Sequence, residues 1–201
     1  LGISPCKNSD EDKLRRTIEA AQRVVESAES PAREIAQRFH TSATIYILGT
    51  GAQLGTALYG ATKFAELADT LAIAQELEEF AHQQFWILRP DDLIIILAEA
   101  GGPLGLARQY VETLTEYGIN TVVITHDREV GKKAVAPILL PKADEGPWSS
   151  LTTCIPIQFL AYHWSLARGL NPDTRAHLRQ DERRFTTSRK LTRMALVGTG
   201  L

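Results

Sequence analysis

The sequence predicts a three-layer α/β sandwich built on a mostly parallel sheet of about five strands. Two observations carry this. The runs Thr44-Ile-Tyr-Ile-Leu48, Asp92-Leu-Ile-Ile-Ile-Leu97 and Asn120-Thr-Val-Val-Ile-Thr125 are rich in consecutive apolar positions, as strands covered on both faces must be. They alternate with helical patterns, two of them behind glycine-rich turns, and that order is the order of βαβ units.

Taken along the chain, Asp10 to Phe39 is charged and helical in period, with apolar Leu14, Ile18, Ala21, Val25 and Ala28. Ser30-Pro31 is expected to divide it into two helices, because proline suits the first turn of a new helix. The strand Thr44–Leu48 runs into Gly49-Thr-Gly51 and a helix over Leu54–Leu67, and a short strand is expected at Thr70–Ile73. The strand Asp92–Leu97 is followed by Gly101-Gly-Pro-Leu-Gly105 and a helix over Leu106–Tyr117. Next come the strand Asn120–Thr125, a shorter one at Ala134–Leu139, and a long helix over Ser149–Arg168 that Gly169 stops. After Asn171-Pro-Asp, the charged segment Arg175–Arg193 has little to contribute to a core, and is expected to pack on a partner or cross the surface. This divides the chain into N-terminal helices or linker (1–40), a single α/β domain (41–170) and a tail (171–201).

The chain's 201 residues suit one domain with appendages. With 22 basic and 24 acidic residues intermixed, there is no electrostatic footprint for nucleic acid or an anionic membrane, so a small-molecule ligand is expected. Cys6 and Cys154 lie far apart, and neither they nor the histidines have metal-ligand spacing, so no metal and no cofactor is expected. Two such cysteines fit a reducing, cytoplasmic setting. The apolar run Leu93–Ala98 is far short of the roughly 20 residues that span a bilayer, and no secretory signal is recognisable. The first residue is Leu1, and the expectation is that the chain is a fragment.

In open parallel sheets ligands collect beyond the carboxyl ends of the strands. The loops to search are therefore Gly49–Gln53, Ala98–Gly105 and Thr125–Asp127. Gly49, Thr50, Gly51 and Gln53 are candidate substrate-binding residues: backbone amides there can approach a ligand, and the helix N-terminus behind them favours an anion. The other reading of the same residues is a tight strand-to-helix turn with no ligand. It is not a dinucleotide fingerprint, because Leu54 stands where a third glycine belongs.

Lys63, Glu66 and His82 are the candidate catalytic residues. Lys63 and Glu66 stand three apart on one helix face, so the ammonium can hold the carboxylate ionised, as a proton-abstracting base requires. His82 has the titration range for proton exchange with a sugar hydroxyl. Spacing alone equally allows a solvated helix pair and a surface histidine.

A resemblance sharpens this. Tyr59-Gly-Ala-Thr-Lys-Phe-Ala-Glu66, with Glu79-Phe-Ala-His82 beyond it, resembles the E-G-A-x-K-x-x-E and E-[FL]-x-H pattern of flavodoxin-like SIS (sugar isomerase) domains. That pattern belongs to the second SIS half of the isomerase region of glucosamine-6-phosphate synthase and of the fructosamine phosphate deglycases. Ile47-Leu-Gly-Thr-Gly51 and Ile157-Gln-Phe-Leu-Ala-Tyr-His163 are similar to two further family segments, and the likeness covers roughly residues 12 to 180. It implies that Glu66 moves a proton between sugar C1 and C2, with His82 opening the ring. The family's histidine comes from a neighbouring subunit, which implies a homodimer or pairing with another SIS half.

The departures narrow the function. Tyr59 replaces the family's leading glutamate, Gln83-Gln84 replaces Gly-Pro, and Gln180 stands near the position of the tail lysine of glucosamine-6-phosphate synthase. The phosphate-cradling turn S-x-S-G-x-T is matched by Glu99-Ala-Gly-Gly-Pro103, which has no hydroxyls. The expectation is thus an isomerase or deglycase acting on an amino-sugar or sugar 6-phosphate, as the C-terminal half of a two-SIS protein whose other half holds the phosphate. The alternative is a non-catalytic sugar-phosphate-binding or dimerisation domain.

Overall fold

A computed structural model describes residues 8–98, 104–141 and 147–197. In chain order the elements are α1 (Asn8–Phe39), β1 (Ile45–Gly49), α2 (Ala52–Ala68), β2 (Ala72–Glu76), α3 (Leu77–Phe80), β3 (Leu93–Ala98), α4 (Leu104–Glu116), β4 (Asn120–Thr125), α5 (Arg128–Gly131), β5 (Ala136–Leu139), α6 (Ser150–Ala167) and α7 (Glu182–Val197). The five strands form one sheet in the order β2-β1-β3-β4-β5, and every pairing is parallel.

Alternate residues of the central strands face opposite helical layers, as a two-residue side-chain period requires. Ile45, Ile47, Leu93, Ile95, Val122 and Ile124 share one core with α1, α2 and α6. Tyr46, Leu48, Ile94, Ile96 and Val123 share the other with α3, α4 and Val130 of α5. This is the three-layer sandwich that the sequence predicts. Every residue of β1 and β3 is buried, while β2, at one sheet edge, is only half-buried throughout. The strand order reverses between β1 and β3, the kind of switch point beyond whose carboxyl ends parallel folds ordinarily bind ligands.

Two readings of the N-terminal segment change. α1 is a single helix that runs through Pro31. Pro31 removes one backbone donor, but Ala28, Ala32, Ile35 and Ala36 on either side are buried against the core, and this packing carries the helix across the defect. Ala28 is buried as predicted, but before it the buried stripe lies one position away: Thr17, Ala20 and Val24 face inward, whereas Ile18 and Val25 are each 49% exposed.

α6 is apolar on nearly all sides, since it touches the sheet as well as α1 and α2. Its Trp164 is fully buried and meets Phe64 of α2 edge-on, ring centroids 5.4 Å apart. α2 approaches both α6 and β1 at Gly60, where a Cβ would stand 2.9 Å from Ile157 Cγ2 and 3.0 Å from Ile47 Cδ1. Gly60→Ala is therefore expected to lower stability by about 1–2 kcal/mol, overcrowding outweighing the better helix propensity of alanine. Urea denaturation measures this, and an unchanged or raised midpoint would contradict the close packing.

Candidate functional site

The candidate residues fall into two groups at opposite ends of α2. At the carboxyl edge of the sheet, β1 passes into α2 through Gly49-Thr50-Gly51. A Cβ on Gly49 would stand 2.5 Å from the carbonyl oxygen of Gln53, so only glycine lets the helix turn back this closely. Gly51 is the N-cap of α2 at φ 58°. The Thr50 hydroxyl donates to Glu76 Oε1 at 2.9 Å. Glu76 caps α3, its other oxygen accepting from the amides of Glu78 (2.7 Å) and Glu79 (3.2 Å). Burial pushes the Glu76 carboxyl up, but the hydrogen bonds from the Glu79 amide, Thr50 hydroxyl and neighbouring amides prevail and hold it below its usual range.

Gln53, a sequence candidate for substrate contact, points inward at 2% exposure. Its Oε1 accepts from Thr153 Oγ1 at 2.7 Å, and its Nε2 donates to Ser149 Oγ at 3.3 Å. The side chain thereby ties the first turn of α2 to the start of α6. His82 follows α3 at the carboxyl edge of β2, exposed to solvent.

The second group occupies the far end of α2. Tyr59, Lys63 and Glu66 lie at i, i+4 and i+7, along one helix face. Tyr59 OH accepts from Gln158 Nε2 at 2.8 Å, Lys63 Nζ stands 5.5 Å from the Tyr59 ring centroid, and the same ammonium donates to Glu66 Oε2 at 2.7 Å. The tail completes the arrangement: Arg175 Nη1 pairs with Glu66 Oε1, and His177 Nε2 donates to the Glu66 carbonyl at 3.1 Å. The Lys63 hydrogen bond first, and then the charges of Lys63 and Arg175, hold the Glu66 carboxyl below its usual range against the opposing effect of partial burial. Its side chain is 28% exposed.

One chain does not bring Glu66 and His82 together. Gly51 and Glu66 are separated by fifteen residues of helix, a rise of about 22 Å, and His82 lies at the Gly51 end. An open groove of 480 Å³ runs between α2 and α6, lined by Gly55, Tyr59, Leu151, Cys154 and Gln158 among others. Tyr59 is the point at which this groove meets the Lys63–Glu66 pair.

In the sequence Arg175 and His177 lie in the tail and Glu76 is not singled out. No local pattern says where the chain after Asn171-Pro-Asp is aimed. His163 is nearly buried, with Nε2 3.4 Å from Glu29 Oε1, and burial lowers its pKa. His40 and His126 bond backbone carbonyls. No cluster of metal-ligating side chains, and no helix long and apolar enough to cross a membrane, occurs among the described residues. The turn 99–103, matched to the phosphate cradle, and Cys6 lie outside the described residues.

The model of the SIS domain family matches residues 38–167. The chain belongs to the SIS domain family. Over 170 residues it is 27% identical to a glutamine–fructose-6-phosphate aminotransferase (isomerizing) of Sulfolobus acidocaldarius, covering 85% of this chain but only 28% of that protein. Among solved structures, the C-terminal domain of glucosamine-fructose-6-phosphate aminotransferase from Francisella tularensis superposes with a TM-score of 0.70 at 18% identity, over 83% of this chain and 48% of that one. Tagatose-6-phosphate ketose/aldose isomerase from Escherichia coli superposes with a TM-score of 0.69 at 17% identity, over 81% and 45%. At these identities the superpositions establish the SIS fold.

The buried Gln53 amide makes a stability prediction for this SIS domain. Gln53→Leu deprives the buried Thr153 hydroxyl of its shortest partner and is expected to cost about 1–3 kcal/mol. Calorimetry reads this as a lowered Tm, and an unaltered Tm would show that the tie between α2 and α6 contributes nothing.

Proposed function

We propose that this SIS domain binds a phosphorylated sugar and moves a proton between its C1 and C2, in aldose–ketose isomerisation or in deglycation of an amino-sugar phosphate. The observation that carries the reading is the Glu66 carboxylate, held ionised by Lys63 and partly open to solvent on the α2 face that also bears Tyr59. The names of the relatives, an isomerizing aminotransferase and a ketose/aldose isomerase, support the same substrate class.

In this reading His82 opens the sugar ring by proton exchange with its hydroxyl. Glu66 then accepts the proton alpha to the open-chain carbonyl, and the bonding pair left behind forms an enediolate. A proton passes from the hydroxyl oxygen to the former carbonyl oxygen, and return of the Glu66 proton to the former carbonyl carbon gives the isomer. Since Glu66 and His82 stand at opposite ends of α2, the site needs a second copy of the chain or another SIS half to supply the missing group. The setting is the cytoplasm, where sugar phosphates are found.

A second reading, a receptor or assembly domain without catalysis, is favoured by the hydroxyl-poor stretch Glu99–Pro103 and by the inward-turned Gln53. The two separate in deuterated water. With fructose 6-phosphate or glucosamine 6-phosphate, NMR is expected to show deuterium entering at C1 or C2 respectively, at a rate that Glu66→Gln reduces by ~100-fold or more. Binding of either sugar without exchange by the unaltered protein would instead establish the receptor.

A further inference from the structure

We infer that Arg175, delivered by the tail beyond the α/β domain, is a positioning residue for Glu66. The inference rests on the reading of Glu66 as the base. The tail meets the end of α2 at Arg175 and His177, and local bonds fix the turn that carries them. Asn171 Oδ1 accepts from the amides of Asp173 (3.0 Å) and Thr174 (3.1 Å), and the Arg175 amide donates to the Asn171 carbonyl at 2.9 Å. The turn so formed places Arg175 against Glu66 Oε1, and two residues on His177 donates to the Glu66 carbonyl. The charged and titratable groups meeting Glu66 are therefore Lys63 from α2, and Arg175 and His177 from the tail.

Arg175 sits at φ 49°, ψ 40°, in the left-handed region that arginine seldom occupies. Glycine would take this conformation without strain, yet the position carries the longest cationic side chain. An unfavourable backbone conformation retained at a functional group is the pattern expected where the side chain is needed for something besides folding.

What Arg175 adds is aim more than charge. An ordinary carboxylate, with pKa about 4.3, is already ionised at neutral pH, so a second cation changes the ionised fraction little. Lys63 alone would leave the carboxylate free to rotate about the single oxygen it holds. With Lys63 on Oε2 and Arg175 on Oε1, the plane of the group is fixed, and each oxygen keeps a lone pair for a substrate proton. Misplacing a reacting group by about 1 Å can lower a rate ~100-fold.

The test compares the whole chain with Arg175→Gly and Arg175→Lys. Arg175→Gly relieves the backbone, so its Tm should not fall. The Glu66 carboxyl resonance, assigned in carbon-13-labelled protein by its absence from Glu66→Gln, should titrate at higher pH in Arg175→Gly and return toward the original value in Arg175→Lys. In proton exchange on fructose 6-phosphate, kcat should fall ~10- to 100-fold with KM little changed. A Glu66 titration that does not move, or an undiminished kcat in Arg175→Gly, overturns the inference. If instead Glu66→Gln keeps full exchange, the catalytic reading of Glu66 fails, and with it the inference that Arg175 positions a base. A shifted carboxyl titration would then mark Arg175 as a structural ion pair only.

Discussion

The seating of α2 is the constraint on which the rest of this SIS domain depends. It is fixed at its start by the Gly49 turn, which no side chain could share, and by the Gln53 amide buried against α6. It is fixed midway by Gly60, which brings it against Ile47 and Ile157. A helix held so closely is a rigid rod. Whatever stands at its far end is placed by contacts made near its beginning and middle, and the pair Lys63–Glu66 stands there.

The same rod keeps the two halves of the proposed chemistry apart. The glycine turn, Glu76 and His82 belong to the carboxyl edge of the sheet, where parallel folds ordinarily gather ligands. Glu66 belongs to the opposite end. The proposed chemistry therefore requires a second copy, or another SIS half, placed so that its His82 end meets this Glu66 end, and an isologous interface that paired the two ends would form two such sites at once. Glu66 receives a cation on each oxygen, one from its own helix and one from the tail, so the tail is tied to the α/β domain at the group on which the proposed chemistry turns.

Much of this was legible in the residues, because strands covered on both faces are forced to be apolar at consecutive positions. Leu93–Ala98 and Asn120–Thr125 announce themselves in this way, and the Lys63–Glu66 contact follows from helical spacing alone. The failures have equally physical origins. Pro31 reads as a break because local propensity opposes a helix there, and only the buried alanines around it, which are tertiary information, overrule that. The first half of the α1 stripe was misplaced because Ala20-Ala21 and Val24-Val25 are pairs of like residues, so the apolar period fits either register; Ala20 and Val24 are inside, and Ile18 and Val25 are not. Gln53 looked like a ligand group because a polar residue behind a glycine turn so often is one, and its partners, Thr153 and Ser149, are about a hundred residues away. Arg175 and His177 could not have been found, since no sequence periodicity links a tail turn to a helix end.

The central claim is that Glu66 of one chain works with His82 of another. Its most direct measurement mixes two separately inactive variants, Glu66→Gln and His82→Gln, after dissociation and reassociation, and follows proton exchange on fructose 6-phosphate. If the groups act across a homodimer interface, random pairing restores about a quarter of the original sites, because each mixed dimer contains one intact pair. Activity that stays at the level of the separate variants would contradict the account.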